Sequence, residues 1–303
     1  MKKGILIFSL LFLSFAAYSQ SRYVDSLFAE VQTTTYTYAI KDSQELKLDV
    51  YLPLGDTMTK RACMVWMHGG GFAGGRRDNG AEVKLMQQMA KRGYVAISIS
   101  YRLTRKGKSF SCNASRAEKM ETFRLASKDL WDAVYFAYEK YIDFGIDPKL
   151  FIIGGSSAGA EGVLNAVYMK DWLYEGPSKY DSIQPAMVFS LAGAMIDQRY
   201  INSNNAVPAA FFHGTKDNLV PYATAPHHYC EESDIGYIWL DGSKSITQKL
   251  KAMGSSYLLY TFEEARHEIA NIPFDRMQIV YQFFHDVMFE GMLIQSEVIV
   301  KKP

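Results

Sequence analysis

The stretch Gly154-Gly155-Ser156-Ser157-Ala158-Gly159-Ala160 decides the reading of this chain. It follows the apolar run Leu150-Phe151-Ile152-Ile153 and opens an Ala-rich segment, so a strand turns tightly into a helix. Gly155 and Gly159 flank Ser157 in the G-x-S-x-G spacing. A sharp strand-to-helix turn lifts its central serine into an exposed, strained position, and the glycines let neighbouring backbone pass closely. The helix N-terminus places the Ala158 N–H where an oxyanion would form. The bland alternatives are an ordinary Gly-rich turn and a phosphate cradle, and the second lacks its G-K-[ST] continuation.

Working outward, His68-Gly69-Gly70-Gly71-Phe72 follows another apolar run. Consecutive glycines leave backbone N–H groups free to face a cavity, which makes Gly70 and Gly71 candidate oxyanion donors. A flexible loop would need no such role. His68, at the base of that loop, reads as a residue that fixes it by hydrogen bonds rather than as a base. Downstream, Phe211-Phe212-His213-Gly214-Thr215-Lys216-Asp217 puts an acid after a strand, and Arg266-His267-Glu268 follows the next one. A serine hydroxyl needs an imidazole to take its proton, and the imidazole needs an acid to hold its tautomer. Ser157, Asp217 and His267, in that chain order, are the candidate catalytic residues. Glu161 and Glu268 adjoin them, but Asp217 has the better motif context.

Expected strands lie at 35–40, 46–51, 62–67, 94–101, 150–154, 186–191, 209–212 and 256–262. Runs such as Val95-Ala96-Ile97-Ser98-Ile99 read as strands buried on both faces of a parallel sheet. Expected helices lie between them at 81–92, 117–141, 158–169 and 246–253, with a last one at 273–288 that starts on a proline and ends the fold. The first two strands have no helix between them and read as an antiparallel edge. Strand–helix alternation of this kind predicts an α/β fold with helices on both faces of the sheet.

The chain has 303 residues, with 33 Lys and Arg against 32 Asp and Glu. That balance gives no field to attract nucleic acid, so none is expected as a partner. Residues 1–19 read as a signal peptide: Lys2 and Lys3, an apolar run from Ile5 to Ala17, then the small residues of Ala17-Tyr18-Ser19. The run is short for a bilayer span, so export without a stable membrane anchor is expected, to periplasm or medium. Cleavage after Ser19 removes two lysines and no acid, taking the formal charge from +1 to −1. Residues 20–303 read as a single domain. Of three cysteines, Cys63 lies in an apolar run and reads as buried, while Cys112 and Cys230 are the candidate disulfide pair. No Cys or His spacing reads as a metal site.

Taken together, HGGGF at 68–72, Tyr101-Arg102-Leu103, GGSSAGA at 154–160, HGTKDNLVPY at 213–222 and His267 resemble the carboxylesterases of the α/β-hydrolase superfamily, close to the hormone-sensitive-lipase group. The resemblance runs from about Leu46 to the C-terminus. It implies an α/β-hydrolase fold with a mostly parallel eight-stranded sheet, an acyl-serine mechanism on Ser157 with Asp217 and His267, and oxyanion donors at Gly70, Gly71 and Ala158. It implies no cofactor and no metal. Ser156 departs from the Asp common before the serine. No large cap domain fits between the core strands, so lid material must come from 21–34, 104–116, 172–182 or 227–242. Those segments are polar and aromatic, which favours small-molecule or carbohydrate esters with short or aromatic acyl groups, such as acetyl or feruloyl. An exopeptidase-like serine hydrolase and a non-catalytic binding protein on a hydrolase scaffold are the rival readings.

Overall fold

The computed structural model describes residues 21–174 and 176–301, so the expected signal peptide lies outside the described residues. In chain order the strands are β1 (Val31–Lys41), β2 (Gln44–Pro53), β3 (Arg61–Met67), β4 (Val95–Ile99), β5 (Ile146–Ser156), β6 (Met187–Leu191), β7 (Ala194–Met195), β8 (Ala209–Gly214), β9 (Thr224–Pro226), β10 (Trp239–Gly242), β11 (Tyr257–Phe262) and β12 (Gln295–Val300). The helices are α1 (Gly80–Lys91), α2 (Arg116–Glu139), α3 (Tyr141–Phe144), α4 (Ala158–Tyr168), α5 (Lys170–Leu173), α6 (Ser243–Ala252) and α7 (Met277–Met288).

One nine-stranded sheet runs β1-β2-β4-β3-β5-β6-β8-β11-β12, and β7-β10-β9 form a small separate sheet. The expected edge is present: β1 and β2 are antiparallel to each other, and β2 is antiparallel to β4. From β4 to β12 every neighbour is parallel. All eight expected strands are found. The ninth, β12, corrects the count and the expectation that a helix ends the fold, since it follows α7 and pairs with β11. The helix itself starts four residues later than expected, because Pro273 caps a turn in which Arg276 N–H donates to its carbonyl.

Side-chain alternation explains the two-faced packing. Cys63, Val65 and Met67 of β3 join the core under α2, α4 and α6, while Ala62, Met64 and Trp66 join the core under α1 and α7. Cys63 is fully buried. The sheet thus has apolar cover on both faces. α2 begins with a full capping box, Ser115 and Glu118 exchanging hydrogen bonds with each other's backbone.

Cys112 and Cys230 are bonded, with Cα atoms 5.2 Å apart at a sequence separation of 118. The bond ties the loop before α2 to the loop after β9, two of the segments that can supply a cleft wall. Phe110, two residues before Cys112, packs edge-on against His227 and His228. No large cap interrupts the sheet: residues 192–208, between β6 and β8, hold only β7 and one short helical turn. Among the described residues no helix is long and apolar enough to cross a membrane.

Candidate active site

Parallel strands end on one edge, and that edge gathers the site. β5 is central, so the turn after it carries Ser157; β3, beside it, delivers the His68–Gly71 loop. The loops after β8 and β11 deliver Asp217 and His267. Ser157 has φ 51° and ψ −125°, a strained backbone for a residue with a Cβ. The turn closes because Gly159 has no side chain: a Cβ there would meet the Met67 carbonyl oxygen at 2.1 Å.

Ser157 Oγ lies 2.7 Å from His267 Nε2, and His267 Nδ1 lies 2.7 Å from Asp217 Oδ2. Asp217 is 1% exposed, and its Oδ1 accepts from the Leu219 and Val220 N–H groups at 2.9 and 3.0 Å. Burial alone would raise the Asp217 carboxyl, but hydrogen bonds from His213 and His267 outweigh it and hold the group well below the usual carboxylate range. The acid is therefore ionised, His267 is oriented by it, and Ser157 faces the other ring nitrogen. Such a chain can take a proton from the serine hydroxyl and return it to a leaving group.

The other expected residues sit in the same cleft, which encloses about 490 Å³. Gly69, Gly70, Gly71 and Ala158 line it together with Ser157. As the first residue of α4, Ala158 has an N–H without an intrahelical acceptor. His68 keeps to its loop, Nδ1 donating to the Gly69 carbonyl at 2.7 Å. Tyr101 O–H donates to the His68 carbonyl at 2.9 Å and pins the loop from below. Glu268 accepts from the Arg266 N–H and is not on His267 Nδ1.

Sequence reading missed two parts of this arrangement. His213 is fully buried, with Nε2 3.3 Å from Asp217 Oδ2 and Nδ1 2.8 Å from Ser243 Oγ. Its i, i+4 spacing to Asp217 in the HGTKD motif was the available signal. The second part is a buried polar layer behind the serine. Glu161, one turn into α4, has Oε1 3.3 Å from His227 Nε2. Lys119 of α2 donates to the Gly236 carbonyl at 2.8 Å. Burial pushes Glu161 up to about 8 and Lys119 down to about 8. Burial, with the neighbouring His227 and Lys119, pushes His228 down to about 3. Burial thus favours the protonated form of Glu161, whereas Asp217 is the carboxylate that lies on His267 Nδ1. Among the described residues the one metal-compatible cluster is Cys112, Cys230 and Asp234, and its two sulfurs are in the disulfide.

A family model described as BD-FAE matches residues 48–184, a span that holds the glycine loop and Ser157 and ends before Asp217 and His267. An AB hydrolase superfamily protein of Schizosaccharomyces pombe is 30% identical over 99 residues, which are 32% of this chain and 24% of that protein. The chain therefore matches about a quarter of that relative's length. Esterase 2 of Thermogutta terrifontis, phosphorylated by paraoxon, superposes with a TM-score of 0.61 at 20% identity, covering 87% of this chain and 96% of that one. The propionate-bound form of the same esterase gives 0.61 at 19% identity over 88% and 97%. The chain has the α/β-hydrolase fold.

Two stability measurements check the site as built. A Cβ on Gly71 meets nothing within 4 Å, so Gly71→Ala should cost about 1–2 kcal/mol for its φ of +61° alone. On Gly70 a Cβ meets the Gly74 carbonyl oxygen at 2.4 Å with φ +119°, so Gly70→Ala should cost about 1–3 kcal/mol more. Denaturant unfolding giving the reverse order would contradict the loop geometry. The second concerns Glu161, whose folded value of about 8 exceeds its ordinary 4.5. Between those values the folded chain holds a proton that the unfolded chain releases, so the wild type loses stability as pH rises through that window. Glu161→Gln does not titrate there. Its melting temperature should gain on the wild type by several degrees between pH about 5 and about 8, and a constant difference would mean Glu161 is not buried as described.

Proposed function

We propose that this chain is an exported serine carboxylesterase that cleaves carboxylic esters through an acyl-serine intermediate, with acetyl or feruloyl esters of carbohydrates as the substrate class. The observation that carries it is the continuous hydrogen-bond chain from Ser157 Oγ through His267 to buried Asp217, facing the same cleft as Gly70, Gly71 and Ala158.

In this reading Ser157 Oγ attacks the ester carbonyl while His267 Nε2 takes its proton. Backbone N–H groups of Gly70, Gly71 and Ala158 receive the oxyanion, and Asp217 offsets the charge gained by the ring. The imidazolium then protonates the leaving alcohol, and water repeats the sequence on the acyl-enzyme to release the acid. The modest cleft and the absence of a large cap between β6 and β8 favour short acyl groups. The propionate-bound esterase 2 structure adds fold-level support for that preference. Export is supported by the Cys112–Cys230 disulfide, a bond that persists in oxidising compartments.

Hydrolysis of p-nitrophenyl acetate, butyrate and decanoate by the chain lacking residues 1–19 tests the reading. The short esters should react well and the decanoate poorly. Ser157→Ala should lower turnover by at least ~10³-fold while melting like the wild type. A Ser157→Ala variant that keeps most of the activity would remove Ser157 as nucleophile.

A further inference from the structure

The Ser157–His267–Asp217 chain does not use all the chemistry in its cleft. Asn79 and Glu82, three residues apart at the start of α1, both line it. Asn79 occupies the N-cap position, yet its side chain makes no capping hydrogen bond. Glu82 is 7% exposed, and its Oε2 is buried with no hydrogen-bond partner among the described residues. An acid in the first turn of a helix is ordinarily a solvated partner of the helix dipole. Here burial has removed the solvent and raised the carboxyl above its ordinary value. An unmet buried oxygen is a standing cost to the fold, and in a native protein such a group calls for a specific explanation.

We propose that Asn79 and Glu82 form a hydroxyl-binding subsite that selects esters of polyols or carbohydrates, a free hydroxyl near the scissile ester donating to Glu82 Oε2 while Asn79 donates to or accepts from its neighbour. This rests on the esterase reading above and names the substrate feature that the same cleft recognises. A hydroxyl both donates and accepts, so a carboxyl beside an amide can satisfy two adjacent hydroxyls completely. An ammonium group only donates and leaves the Asn79 amide N–H unmet. It would also require a fully ionised Glu82, which burial opposes.

The test compares kcat/KM for a monoacetylated methyl glucoside with that for its counterpart in which every free hydroxyl is methylated. The wild type should favour the hydroxylated ester by roughly 10-fold or more, since a site built to bond a hydroxyl rejects an analogue that lacks the donor. Glu82→Ala should bring that ratio close to one, mainly through KM. Glu82→Gln keeps an acceptor oxygen and should retain an intermediate ratio. Glu82→Met, which removes the unmet oxygen, should melt above the wild type. A wild-type ratio near one, a parallel fall for both esters in Glu82→Ala, or a lower melting temperature for Glu82→Met would each overturn the subsite. Turnover of p-nitrophenyl acetate by the same wild-type preparation separates the cases: if it persists, only the subsite falls, and if it is absent, the esterase reading falls with it.

Discussion

Ser157 is held at φ 51° and ψ −125° because β5 drives straight into α4 with no loop between them, and the rest of the site is arranged around that constraint. A non-glycine residue in such a conformation costs on the order of 1–3 kcal/mol, so the surroundings must over-determine it. They do. β5 is paired on both sides, to β3 and β6, and the Ser157 N–H donates to the Leu191 carbonyl at 2.8 Å. Gly159 lets the first turn of α4 press against the Met67 and His68 carbonyls at the end of β3. The same contact that strains the serine brings the glycine loop beside it.

The electrostatics follow from depth. Three acids stand near the serine, and each has a different environment. Asp217 meets two imidazoles and two backbone N–H groups, so it stays ionised despite full burial. Glu161 lies beside His227, itself pushed towards its neutral form by burial, and burial raises the Glu161 carboxyl well above its ordinary value. Glu82 has one buried oxygen that meets no hydrogen-bond partner among the described residues. Residue type alone would have treated the three alike; the number of donors facing each carboxyl separates them.

Most of this fold was legible in the sequence, because its signals are local. Two-sided burial writes continuous apolar runs such as residues 95–99, and a nucleophile turn writes its glycines at fixed offsets. Residues 217 and 267 could be paired with 157 because each follows a strand in turn. β12 was not legible for the opposite reason. Its Glu297 and Ile299 alternate with half-buried neighbours on an edge strand, so what makes it a strand is the backbone of β11 rather than its own pattern. The strands β7, β9 and β10, two to four residues long, are likewise defined by their partners. Glu82 did not stand out in the sequence because burial depends on where α1 packs, which no local window records. The pairing of Cys112 with Cys230 could be named only as a candidate, since it joins segments 118 residues apart.

The central claim is that Ser157 is activated as a nucleophile by the geometry of its turn and by His267. Paraoxon, which transfers a phosphoryl group to an activated serine hydroxyl, addresses it without any assumption about the natural ester. Intact-mass and peptide mass spectrometry after brief exposure should find one diethylphosphoryl group per chain, on Ser157, and none when His267 is replaced by alanine. A native chain that stays unmodified, or carries the group on another residue, would contradict the account.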